Sequence, residues 1–264
     1  MNKILLSIPN LKGNEKKYLL DCIDTNFVSS VGQYVDKFEE AFAAYHKSPG
    51  AVAVVNGTAA LHISLQLAGV QTNDEVIVPN LTFIAPANAV KYLGAHPVLV
   101  DSSWETLGMC PVKLKQLLES DYKLVDGVCQ NRKTERPLRA LVVMHTFGNL
   151  VDIESILNIA EEFHLKVVED ACEALGASIN GQKAGTFGDF GCFSFNGNKI
   201  ITSGGGGMIL AKNHDDLKKA KHLTTTAKIN SLFFEHDEVG FNYRMVNILA
   251  ALGLAQFELS LIHI

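Results

Sequence analysis

The feature that most limits the fold is a rhythm of short apolar runs alternating with segments of helical spacing. AVAVV (51–55), DEVIVP (74–79), PVLVD (97–101), ALVVMH (140–145), KVVED (166–170), CFSF (192–195) and GMILA (207–211) are seven runs of strand length. Their apolar stretches are continuous rather than alternating, as in strands buried on both faces. Helical spacing fills the gaps. NGTAALHISLQLAGV follows the first run, FIAPANAVKYLGA follows the second, and a stretch from about Asp152 to His164 precedes the fifth. NHDDLKKAKHL reads as a capped amphipathic helix after the last run. The pattern predicts an α/β chain with a mostly parallel seven-stranded sheet, covered by helices on both faces in a three-layer sandwich. The polar segment 121–138 reads as an excursion between a helix and a strand.

Composition narrows the functions open to such a chain. It has 264 residues, 47% hydrophobic and 19% charged, enough apolar material for a large core. The formal net charge is −5, so no basic field invites nucleic acid. NRKTERPLR (131–139) is dense in basic residues, but Glu135 interrupts it, and it reads as a solvated loop. No apolar run reaches membrane-spanning length, and the N-terminus lacks a signal-peptide core, which together predict a cytoplasmic protein. The five cysteines are widely spaced, with no CxxC pair. Cys172 and Cys192 lie among apolar residues and read as buried thiols. HDE (236–238) and NHDD (213–216) read as surface turns or helix starts rather than ligand sets, so no metal is expected.

In sheets of this kind ligands gather outside the carboxyl ends of the strands. Asn56 to Thr58, Asn80, Thr82, Phe83, Asp101, His145, Asp170, Ser194 and Asn196 all fall there. In NGTAAL (56–61) a helix starting at Thr58 would offer free N–H groups to a phosphate, unless Thr58 is an ordinary N-cap. GTFGDFG (185–191) spaces its glycines by three, but it precedes a strand, so a dinucleotide fingerprint fails. In VVEDACEALGA (167–177) Asp170 ends an apolar strand, where a carboxylate needs a cation or several donors. A protonated pyridine nitrogen is one such cation. Glu173 could reach the same ligand from a first helical turn; the plain alternative is a capping box. In GCFSFNGNKIITSGGGG (191–207) Lys199 stands between a strand and four glycines. A desolvated lysine amine is a nucleophile toward an aldehyde, whereas the usual fate of lysine is a surface hairpin.

Taken together, and in this chain order, these motifs resemble the pyridoxal phosphate (PLP)-dependent sugar-nucleotide aminotransferases of the DegT family, of fold type I. The resemblance runs from about Ile8 to Glu258 and includes GNEKKYLLDCIDTNFVSSVGQYVDKFE, DEVIVPNLTFIAPANAVKYLGAHPVLVD and GFNYRMVNILAALGLAQFE. It implies that Lys199 carries the cofactor as a Schiff base and shuttles the proton, and that Asp170 pairs with the ring nitrogen. Phe83 would stack on the ring, Glu173 would lie near its hydroxyl, and Thr58, Ala59 and Ser194 would hold the phosphate. Asn242 would reach the phosphate in a neighbouring subunit, which implies a homodimer. Ser29 and Ser30 fall in the substrate-side loop. Lysine at 199, where sugar dehydratases of the family have histidine, implies transamination. The nearest branch acts on UDP-linked 4-keto-6-deoxy-hexoses in cell-surface amino-sugar synthesis, with glutamate as the expected donor. The implied organisation is an arm and helix at 1–30, a PLP-binding large domain at 31–258 and a non-family tail at 259–264, with the family's small C-terminal domain absent. A non-catalytic fragment that keeps the fold is the alternative.

Overall fold

The computed structural model describes residues 7–230 and 232–262; residues 1–6 of the expected arm and 263–264 of the expected tail lie outside the described residues. Two helices lead, α1 (Glu15–Asp24) and α2 (Gln33–His46). Then come β1 (Val52–Val54), α3 (Gly57–Leu67), β2 (Glu75–Pro79), α4 (Ile84–Tyr92), β3 (His96–Val100) and α5 (Pro111–Asp121). The middle holds β4 (Tyr122–Val125), β5 (Val128–Asn131), β6 (Pro137–Met144), α6 (Ile153–Glu162) and β7 (Lys166–Asp170). The rest is β8 (Ser178–Ile179), β9 (Gln182–Lys183), β10 (Phe190–Ser194), β11 (Gly207–Ala211), α7 (His214–Thr224), β12 (Lys228–Asn230), β13 (Glu235–His236) and α8 (Asn247–Leu261).

All seven apolar runs enter one sheet, in the order β1-β11-β10-β7-β6-β2-β3. The pairings β10–β7, β7–β6, β6–β2 and β2–β3 are parallel. The pairings β1–β11 and β11–β10 are antiparallel. The polar segment 121–138 is more than an excursion. Its β4–β5 hairpin joins β6 and extends the sheet to nine strands among the described residues. Asp126 and Gly127 form the turn with φ of 49° and 80°, the paired positive values that match the twist of a two-residue hairpin.

The strands alternate between two covered faces. Val54, Val168 and Ile209 pack with Ala60 and Ile63 of α3, Ala89 of α4 and Leu217 of α7. On the other face Leu141, Val143 and Val167 meet Leu114 of α5 and Ile156 of α6. Beside them Ala53, Phe193 and Met208 meet Phe38 and Phe42 of α2 and Phe257 of α8. Each of the Val, Leu, Ile, Phe and Met side chains among them contributes roughly 1.5–3 kcal/mol by leaving water. The three-layer expectation therefore holds. Parallel register sets Met144 beside Asp170, and Asp170 beside Cys192. The ends of β6, β7 and β10 thus share one edge of the sheet.

Candidate active site

At that edge the β1–α3 junction is capped two residues earlier than the sequence suggests. Asn56 is extended, and its side-chain oxygen accepts the Ala59 N–H at 2.8 Å. Asn56 is therefore the N-cap and Thr58 is not; α3 begins at Gly57 because asparagine supplies the better-placed acceptor. The Thr58 N–H, at the second helical position, finds no acceptor within its own helix. Together with the helix dipole it suits an anion. A Cβ on Gly57 would lie 2.8 Å from the Cys172 sulfur and 2.9 Å from the Ser194 Cβ. Only glycine lets the helix start press against the ends of the neighbouring strands.

Asp170 ends β7 and is 3% exposed. Its Oδ1 accepts the Cys172 N–H at 3.2 Å, closing a side-chain turn. Residues 171–176 form turns rather than a helix, so the capping-box alternative fails and Glu173 reaches inward from a turn. Burial pushes the Asp170 carboxyl up, while the Cys172 bonds and the nearby Lys199 charge pull it down. A carboxylate so placed is short of a cation.

Lys199 does lie in a hairpin connection, because β10 and β11 pair antiparallel with Ser194 opposite Gly207. It is nevertheless turned inward. Its side chain is 16% exposed, and Nζ donates to Glu173 Oε1 at 3.5 Å. Glu173 Oε2 accepts the Phe147 N–H at 2.9 Å.

Thr58, Phe83, Asp170, Glu173, Ser194 and Lys199 line one cavity of about 490 Å³, within the usual range for cofactor sites. Phe83 stands at its exposed rim, at the start of α4. The other expected residues lie elsewhere. Ala59 is buried in α3 with its N–H bonded to Asn56, so that N–H is not free for a phosphate. Asn242 is exposed and bridges Thr225. Ser29 and Ser30 precede α2, where the Ser29 carbonyl accepts the Asn247 N–H at 2.6 Å; Asn247 lines a separate cavity of about 450 Å³ with Phe27, Gly32 and Arg244. Met144, Cys172 and Asn198 also line the first cavity. Cys172, read from the sequence as a buried thiol, is only half-buried, whereas Cys192 is enclosed beneath α3 against Ser64. The HDE turn is joined by His222, whose ring contacts Asp237 at 2.7 Å and Glu238 at 3.3 Å. Lys219 also holds Glu238, so this cluster is closed by the chain's own charges.

Fold and cavity define a doubly covered α/β protein with its ligand cavity at the carboxyl edge of the sheet. More particularly, the chain belongs to the DegT/DnrJ/EryC1/StrS aminotransferase family, whose profile matches residues 9–260. It is 43% identical to GDP-perosamine synthase of Caulobacter vibrioides over 97% of its own length and 65% of that protein's. It is 41% identical to GDP-perosamine synthase of Vibrio cholerae over 95% of its length and 64% of that protein's. The chain thus spans just under two thirds of the curated relatives it matches. Among solved structures, the aminotransferase from Psychrobacter cryohalolentis superposes with a TM-score of 0.83 at 29% identity, covering 97% of this chain and 64% of that one. The aminotransferase TlmJ from Streptoalloteichus hindustanus superposes with a TM-score of 0.85 at 26% identity, covering 97% and 66%. Among the described residues no helix is long and apolar enough to cross a membrane.

Proposed function

We propose that the chain is the cofactor-binding part of a PLP-dependent aminotransferase. It would move an amino group from glutamate to a nucleotide-linked 4-keto-6-deoxy sugar in cell-surface amino-sugar synthesis. We read it as a cytoplasmic homodimer, with residues 1–30 as arm and helix and 31–258 as the PLP-binding unit. The observation that carries the proposal is the meeting of Lys199, Asp170 and the start of α3 in one cavity.

The residues present fit PLP. A helix start with an unbonded N–H faces the cavity beside Ser194, matching a phosphate. The buried Asp170 is short of a cation, matching a protonated ring nitrogen. When bound, PLP supplies an aldehyde for a primary amine and a ring that accepts electrons from the bond being broken. Asp170 would hold the proton on the ring nitrogen. Thr58 and Ser194 would hold the phosphate, and Phe83 would cover a ring face and exclude water. Lys199 would bind the aldehyde carbon and carry the proton to and from the reacting carbon, with Glu173 steadying its amine. Asn242, exposed on this chain, would serve the cofactor of a second copy, and Ser29 and Ser30 would meet the sugar.

The resemblance points to a UDP-linked sugar, whereas the two GDP-perosamine synthases carry GDP in their names. Both nucleotides therefore belong in the test. The chain is incubated with PLP, nitrogen-labelled glutamate and a panel of UDP- and GDP-linked 4-keto-6-deoxy sugars, and the sugars are read by mass spectrometry. Label in a sugar product is expected. Cofactor on Lys199 with no label in any sugar would reject the transferase reading and leave a binding fragment.

A further inference from the structure

The glycine-spaced run GTFGDFG, which fits no nucleotide fingerprint, has a ligand within the chain. Glu169 lies on β7 with no exposed surface. As the neighbour of Asp170 it faces the opposite side of the sheet. Its Oε1 accepts the N–H groups of Phe187 and Gly188, each at 2.6 Å. Its Oε2 accepts the Gly185 N–H at 2.8 Å and meets His145 Nε2 at 2.9 Å. Gly185 has φ +82°, and a Cβ there would strike the Phe193 ring at 2.4 Å. The run is a nest for one carboxylate.

His145 is as buried as Glu169 and stands just before the tight turn Thr146–Gly148. Its N–H donates to the Asp170 carbonyl at 3.2 Å, and its own carbonyl accepts the Gly148 N–H at 3.0 Å. The turn holds Phe147 at φ 53°, ψ 26°, a left-handed conformation rare for an aromatic residue. Such a conformation persists where the surroundings over-determine it, and it clusters at functional sites. Here it aims the Phe147 N–H at Glu173 Oε2, while Glu173 Oε1 holds the Lys199 amine. Hydrogen bonds and the short turn thus run continuously from the 185–188 nest, through the sheet, to Lys199.

We propose that His145 and Glu169 are positioning residues for Lys199. They fix the 146–148 turn, the turn fixes Glu173, and Glu173 holds the amine where an aldehyde can reach it. This inference rests on reading Lys199 as the residue that takes the cofactor.

The test uses His145→Phe, which keeps a buried ring but loses the donor to Glu169, and His145→Gln, which keeps a donor. Amide exchange at Phe147 is followed in the cofactor-free chain. Pyridoxamine phosphate, which has no aldehyde, reports reversible binding. The rate of covalent attachment of PLP is followed by borohydride trapping and peptide mapping at Lys199. For His145→Phe, exchange at Phe147 should speed up and attachment should slow by about tenfold or more, as small misplacements of a reacting group do. Affinity for pyridoxamine phosphate should change little, and His145→Gln should restore most of the attachment rate. Unchanged exchange and attachment would overturn the proposal. So would equal losses of affinity and attachment in both variants, the mark of a merely structural role. Should His145→Phe not fold, Glu169→Gln is read by the same criteria. If the unsubstituted chain attached nothing at Lys199, the functional reading would fall. The exchange readout needs no cofactor and would still uphold or overturn the link from His145 to the turn.

Discussion

Glu169→Ala should destabilise the fold by about 4 kcal/mol. Four donors converge on this carboxylate at 2.6 to 2.9 Å, from Gly185, Phe187, Gly188 and the His145 ring. A buried donor left unpaired costs about 1–3 kcal/mol. Water entering the vacated space recovers part of that, and removing the carboxylate also removes its own desolvation cost. About 1 kcal/mol for each donor gives the total, inside the roughly 3–5 kcal/mol lost when one partner of a buried pair is removed. Domains are stable by about 5–15 kcal/mol, so the variant should still fold. With a urea slope of about 3 kcal/mol per molar, the unfolding midpoint should fall by about 1.3 M at unchanged slope. Glu169→Gln should fall between the two, since it keeps an acceptor for Phe187 and Gly188 but turns an amide toward the Gly185 N–H. A midpoint shift below about 0.3 M for the alanine variant, which is about 1 kcal/mol at that slope, would refute the reasoning.

Acid should weaken the chain through His46, whose buried ring is driven from 6.5 down to about 4. Between those values the unfolded chain binds the proton and the folded one does not, so stability is full above the upper value and is lost as pH falls toward the lower. The effect is about 3 kcal/mol; urea midpoints across this range should show it in the parent and not in His46→Leu. Asp170 acts in the opposite sense, because burial raises its carboxyl in the fold. The cofactor-free chain is then favoured below the unfolded carboxylate value and loses stability as pH rises from there through the raised value of the folded state, so Asp170→Asn should melt higher than the parent at neutral pH by calorimetry. Gly191→Ala would set a Cβ 2.0 Å from the Gly185 carbonyl oxygen, whereas Gly197→Ala meets nothing within 4 Å. Thermal melts should show a loss of about 3 kcal/mol or more for the first and parent-like behaviour for the second.

The sheet was legible because its strands are buried on both faces, so apolar runs such as VVED and GMILA marked them directly. Strand direction was not: β10 and β11 carry the same apolar signal whether parallel or antiparallel, and they pair antiparallel. The β4–β5 hairpin escaped because its strands have only four residues each and Lys123, Leu124 and Val125 are exposed at a sheet margin, so no continuous apolar run marks a buried strand. Asp126-Gly127 was nevertheless a readable hairpin signal, as was Asn180-Gly181 between β8 and β9. In the cavity, Thr58, Asp170, Ser194 and Lys199 were found because polar groups at strand ends are few and each needed an explanation. Ala59 does not line the cavity, and the cap, Asn56, takes its N–H. Met144 carried no signal, since a methionine in an apolar strand looks like core; only the register beside Asp170 reveals it. Glu169 was overlooked beside Asp170, although a carboxylate inside an apolar strand demands partners as much as one at its end. Its partners come from a loop further along the chain, and spacing alone could not show that they converge.

The most direct measurement is the visible absorption spectrum of the purified chain with added PLP, before and after glutamate, beside Lys199→Ala. The expected result is a yellow species in the parent chain that bleaches with glutamate and is missing from Lys199→Ala. A spectrum of free PLP in the parent, or the same bound spectrum in Lys199→Ala, would contradict the assignment of Lys199 as the residue that takes the cofactor.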